Sequence, residues 1–266
     1  MAGIFVWVSH DFMGEPKPVY WPQVSAIKGI FDAVLLPKDP VAQYAAWWLE
    51  DAPPILHVFP HWNWAPGDVI EMWAYTTAAF VELWLNGASL GRQAVPSGGR
   101  PWGWNVSWTP GNVTAIGYAA DNATAVATAS VVTTGAPAAL RLTLEAPTAP
   151  PGALTADGWD TALVTVAVVD AAGVVVPTAM MEVAFTLDAG AAGVLAGVHD
   201  GDPLSHEAHQ GGTHAVWMGL ARVWLRAGLI PGAITLRASA SAAGLVPAVL
   251  TIPVLAEAPG SGAKRL

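Results

Sequence analysis

Two acids four residues apart, Asp11 and Glu15, are the first pair in this chain that could do chemistry. Two carboxyl groups flanking a reacting centre can serve as nucleophile and acid. Gly14 between them and Pro16 after them read as a loop, which puts both acids on one side of any substrate. Neither is assigned as a catalytic residue, because function belongs to a site and not to a pair of acids. A second accumulation lies in residues 198–213, with His199, Asp200, Asp202, His206, Glu207 and His209, and His214 just after. The ligand types suit zinc or calcium. Their linear spacing fits neither the histidine pair of a zinc-protease helix nor a calcium loop, and Asp200-Gly201-Asp202-Pro203 makes a turn by itself, so no metal site is expected. Ser89, within Gly87-Ala88-Ser89-Leu90-Gly91, has the glycines of a nucleophile elbow but follows a hairpin turn instead of a strand running into a helix. No glycine-rich phosphate loop precedes a helix, and no cofactor is expected. Asn105, Asn112 and Asn122 head formal glycosylation sequons, which matter only in a secretory pathway; the compartment is left unassigned.

The elements that must position these residues follow from composition. The chain has 266 residues, 53% hydrophobic and 12% charged, enough for about two cored domains. Its 11 basic and 20 acidic residues give a net charge of −9, with no basic surface to meet a phosphate backbone, so nucleic acid is excluded as a partner. The uncharged stretch of residues 238–256 is broken by Gly244, Pro247 and Pro253, and no membrane span is expected. Without cysteine there is no disulfide framework and no thiolate chemistry. Of 14 tryptophans, eleven lie at or before Trp108. The remainder is rich in Ala, Val and Thr with 27 Gly and 22 Pro, which favours short strands and turns over long helices.

Along the chain, Ile4 to Val8 reads as a buried strand and Val41 to Leu49, behind Asp39, as the one helix, closed by Pro53-Pro54. Alternating runs follow at 69–75 and 80–85, then Asn86-Gly87, a hairpin signal because both residues tolerate positive φ. Further strands are expected at 104–108, 113–119 and 126–132, a spacing that suggests a β-sandwich. The pattern restarts after Gly135-Ala136-Pro137, with strands expected at 139–144, 163–169, 174–176, 183–187, 216–225 and 234–238. The expected domains are therefore 1–53, 54–135 and 136–258, with a tail at 259–266.

Several of these segments, in this order, resemble one family. Gly3-Ile4-Phe5-Val6-Trp7, Asp11-Phe12-Met13-Gly14-Glu15-Pro16, Trp21-Pro22, Gly29-Ile30-Phe31-Asp32 and Pro37-Lys38-Asp39 are similar to the last barrel strand and following segment of a glycoside hydrolase family 2 β-galactosidase. His61-Trp62-Asn63-Trp64 and residues 81–91 resemble the first sandwich after that barrel. Ala156-Asp157-Gly158, residues 169–173 and Asp200-Gly201-Asp202-Pro203 resemble its final immunoglobulin-like domain. The chain departs from the pattern at Val8-Ser9-His10 and at Asp200, where Asn is usual. The resemblance implies a mainly β chain: two immunoglobulin-like β-sandwiches preceded by a remnant, the last strand and helix, of a TIM barrel. It implies a C-terminal fragment of an enzyme that hydrolyses terminal β-linked sugars, with a β-galactoside-like carbohydrate as partner and both catalytic glutamates upstream of Met1. The chain alone is then expected to be inactive. The substrate-binding residues implied are Trp7, His10 and Asp11, Trp7 offering a flat apolar face to a sugar ring. The other tryptophans, Trp62 and Trp64 included, are read as packing. The alternative is a non-catalytic module that binds carbohydrate or another chain through its sandwiches.

Overall fold

The structure, a computed structural model, describes residues 6–16, 19–49, 51–96, 102–145 and 151–257. Readings at residues 1–5, at 17–18 and in the tail 259–266 lie outside the described residues. The chain divides into two compact units, one running to Phe12 and resuming over Ile27–Thr134, the other made of Met13–Ala26 and the chain from Gly135 on. Two short strands, β1 (Phe12–Met13) and β2 (Ser25–Ala26), pair with each other.

In the first unit, α1 (Pro40–Trp48) is the single α-helix among the described residues. Pro40 suits the first turn, where its missing N–H would have had no partner anyway. Leu49 ends the helix in an extended conformation. No residue of α1 is buried, and Trp47 and Trp48 stay exposed. Strands β3 (Leu56–Phe59), β4 (Val69–Thr76), β5 (Phe80–Leu85), β6 (Ala88–Ala94), β7 (Gly103–Ser107), β8 (Asn112–Tyr118) and β9 (Ala125–Val132) follow. They form a three-stranded sheet in the order β3-β4-β7 and a four-stranded sheet in the order β6-β5-β8-β9. Side chains alternate with period two, so Ile70, Met72, Val81, Leu83, Val113 and Ala115 all point into one core with Trp62 and Trp104. Trp62 is fully buried, its indole N–H donating to Thr109 O at 2.9 Å, as a buried indole requires. Trp64 is part-exposed and stacks on His61.

The second unit contains β10 (Ala139–Leu144), β11 (Leu154–Thr155), β12 (Thr161–Val169), β13 (Met181–Leu187), β14 (Gly193–His199), β15 (Thr213–Val216), β16 (Leu220–Ala227), β17 (Gly232–Ser239) and β18 (Ala248–Leu255). The sheets run β10-β12-β16-β14 and β11-β18-β17-β13-β15, and their inner faces share a core that includes Val164, Val166, Val183, Phe185, Val223, Leu225, Leu236 and Ile252. The chain is thus mainly β, with two β-sandwiches.

Four local expectations change. Val6 to Val8 carry no strand pairing. The run expected over 216–225 is two strands in different sheets, because Met218 and Gly219 both take positive φ and close a tight turn between Trp217 and Leu220. A side chain at Gly219 would meet Val176 O, so the turn needs glycine there. Val174–Val176 supplies only a single bridge, Val169 to Val175. Strands β14 and β18, unmarked by any alternation of large apolar and polar residues, are present, and Gly193 in β14 passes close against Arg226 O and Ile234 Cδ1.

Candidate functional site

Within the first unit, residues 9–11 are zipped along residues 29–31. Ser9 O accepts the N–H groups of Ile30 and Phe31, and Asp11 N donates back to Phe31 O at 3.0 Å. Gly29 makes this approach possible, since a Cβ there would lie 2.3 Å from the His10 carbonyl carbon. Asp11 is buried; its Oδ1 accepts the Gly29 N–H at 2.8 Å and its Oδ2 meets Lys38 Nζ at 2.6 Å. Asp32 is also buried and accepts the Val34 and Leu36 N–H groups, closing the turn before α1. Both oxygens of Asp11 are therefore engaged within the chain. Trp7, in contrast, is 73% exposed. His10 is exposed as well, with Nδ1 3.0 Å from Ser9 Oγ. Glu15, in the second unit, is exposed and takes a positive φ after Gly14. The arrangement is an exposed indole and imidazole on a segment held by a buried ion pair. Such a surface can stack on and hydrogen-bond a sugar ring; it holds no pair of carboxyls aimed at one bond.

A denser constellation lies in the second unit. His199 ends β14 and His214 sits in β15, and both are buried, as is Asp200. His199, Asp200 and His214 each offer one ligand atom, all within 4.8 Å of one another. The His209 ring stacks on His199 with centroids 4.2 Å apart. Burial, with the His199 and His214 imidazoles beside it, holds His209 below the usual histidine value. The rest of the loop is occupied in shaping itself. Asp202 donates its N–H to Asp200 Oδ1 and accepts that of Leu204, forming the turn read from the sequence. Glu207 Oε2 accepts the Ala215 N–H, and His206 Nε2 donates to Pro22 O while its ring meets Trp21. His214, which follows this loop in the sequence, is brought back to His199 by β15 from the opposite sheet. The density of histidines was the signal that pointed there.

Residues 127–251 match the family model "Glycoside hydrolase family 2 C-terminal domain 5". Residues 127–251 therefore belong to the C-terminal region of glycoside hydrolase family 2. Residues 67–125 match a domain of unknown function, DUF4982. The chain is 37% identical over 240 residues to the beta-galactosidase BoGH2A of Bacteroides ovatus, an alignment covering 90% of this chain and 27% of that protein. It is 35% identical over 221 residues to a beta-glucuronidase of Formosa agariphila, covering 81% and 21%. A crystal structure of a beta-glycosidase from Bacteroides vulgatus superposes with a TM-score of 0.81 at 28% identity, covering 92% of this chain and 30% of that one. The chain spans about a quarter of the length of the curated relatives it matches.

Within this family 2 region the match to the C-terminal domain 5 model runs from β9 into the first half of β18, and so contains the whole histidine cluster. The segment bearing Trp7, His10 and Asp11 lies outside both family-model matches. No helix among the described residues is long and apolar enough to cross a membrane.

Proposed function

We propose that this chain is the C-terminal part of a β-galactosidase-like hydrolase of terminal β-linked sugars. Residues 1–53 then continue a catalytic barrel, 54–135 and 136–258 are the sandwiches that follow it, and Trp7 and His10 face the sugar. Asp11 serves substrate binding by fixing that segment, through Lys38 and Gly29, in the position from which Trp7 projects. The observation that carries this reading is the exposed Trp7, four residues before a buried, ion-paired Asp11. A large indole left in water on an immobilised segment suits a surface that stacks on the apolar face of a pyranose.

In a retaining glycosidase one carboxylate attacks the anomeric carbon while an acid protonates the leaving oxygen; water then resolves the glycosyl-enzyme. On this reading both carboxylates are glutamates of the barrel, and Trp7 contributes by orienting the sugar between them. Binding by Trp7 alone lowers no barrier. The test is the coding sequence upstream, expressed with this chain and assayed on nitrophenyl β-galactoside and β-glucuronide. The expected result is turnover of one of them by the long product, a loss of about tenfold or more in kcat/KM on Trp7→Ala, and none by the 266-residue chain. Sugar retention by the short chain without turnover in the long one would favour a binding module instead.

A further inference from the structure

We propose that His199, Asp200 and His214 form a divalent-cation site of zinc type that ties the edge strand of one sheet of the second sandwich to the edge strand of the other. His214 is 0% exposed. Its Nδ1 lies 2.9 Å from Ala215 O, and a carbonyl only accepts, so the proton is on Nδ1. Nε2 is buried without a hydrogen-bond partner, and in the neutral ring, the form a metal binds, it carries the free lone pair. His199, on the facing element, holds the other tautomer, because its Nδ1 accepts the Gly201 N–H and the neutral ring's proton is then on Nε2. Its Nδ1 is 3.0 Å from the Gly201 N–H and 3.2 Å from Asp200 Oδ1, and its Nε2 is also buried without a partner. Two orphaned imidazole nitrogens in one small cluster are costly in a protein interior, where buried polar atoms are nearly always paired. A cation removes both costs at once.

The donor set selects the kind of ion. Two imidazole nitrogens and a carboxylate suit zinc, whereas calcium and magnesium prefer oxygen alone. Around zinc, nitrogen and oxygen ligands at about 2.1 Å stand about 3.4 Å from one another, so the present 4.8 Å limit asks for a closure of at most about 1.4 Å. For His199 to bind through Nε2, its ring proton moves to Nδ1 and is accepted by Asp200 Oδ1, the usual support of a metal-bound histidine, while the Gly201 N–H gives up its bond to Nδ1. Asp200 can then offer its second oxygen to the ion. The placement gives the ion a structural task. β14 is the edge of β10-β12-β16-β14 and β15 the edge of β11-β18-β17-β13-β15, so a bond from His199 to His214 closes the open side of the sandwich.

The test uses the purified 266-residue chain, stripped with chelator and titrated with Co²⁺ and then Zn²⁺. The expected result is one Co²⁺ per chain with the visible bands of a tetrahedral ion, their displacement by Zn²⁺, and a melting temperature several degrees higher in zinc than in chelator. His199→Gln should weaken binding by at least about tenfold, and so should His214→Gln. His57→Gln, in the other unit, should not. Because His214 is fully buried, His199→Gln and the stoichiometry of the unaltered chain decide the matter should the His214 variant fail to fold. A folded chain that takes up no stoichiometric Co²⁺ or Zn²⁺, or that binds equally well in the His199 variant, would overturn the proposal.

Discussion

The Lys38 ammonium stands 2.6 Å from Oδ2 of Asp11, a carboxylate that is only 4% exposed. The pair joins the chain just after Trp7 to the chain just before α1, with Gly29 N–H on the other oxygen. Lys38→Met would leave a buried carboxylate with one donor in place of two. Removing one partner of a buried charged pair costs about 2 kcal/mol or more. We expect a lower melting temperature for the first unit and faster hydrogen exchange at Gly29, with the second unit unchanged. Equal exchange in variant and parent would remove the buttress from the account.

Gly29→Ala tests the same docking by space alone. The added methyl would lie 2.3 Å from the His10 carbonyl carbon and 2.4 Å from Asp11 N, both backbone atoms that cannot rotate aside. Overpacking of this kind costs about 1–3 kcal/mol, and the zipper of residues 9–11 should open. Protease cleavage between residues 7 and 12, absent in the parent, is the readout.

Asn86 shows which parts of the fold could be read in advance. The Asn-Gly pair implied a hairpin, and Asn86 and Gly87 do take φ of 50° and 82° between β5 and β6. The side chain does more than the turn requires: Oδ1 accepts Asn112 N and Nδ2 donates to Pro110 O, fastening β8 to the same corner. Asn86→Ala should lose about 1 kcal/mol in urea denaturation, and Asn86→Gly less than Asn86→Asp if conformation outweighs these bonds. The reverse order would place the energy in the side chain.

Legibility elsewhere follows the same physics. Strands such as β4 and β5 announce themselves because one face is buried and the other wet, giving period two. β14 does not, since Gly193, Ala196 and Gly197 are small where the other sheet and the loop at His209 approach closely. The turn at Met218-Gly219 was hidden because methionine gives no signal of a positive φ. The candidate site divides likewise. Trp7 and Asp11 are singled out through the family resemblance, but Lys38 as the partner of Asp11 is visible only in three dimensions. His214 joins His199 only because β15 and β14 are edges of facing sheets.

Asp121 gives a prediction in pH. It closes the loop between β8 and β9 by accepting the N–H groups of Ala123 and Thr124 on Oδ1 and the Thr124 hydroxyl on Oδ2. Those three donors favour the ionised carboxylate and bring it from 3.8 down to about 2. A carboxyl depressed in the folded state contributes stability that is present above its ordinary value and lost as the pH falls through the folded one. Asp121→Ala should therefore be less stable than the parent by a constant margin above about pH 4, and that margin should shrink between pH 4 and pH 2 as the parent's own Asp121 is protonated. Urea melts of both proteins across this range measure it. A margin that stays constant down to pH 2 would mean that the loop draws nothing from the charge of Asp121, only from its shape.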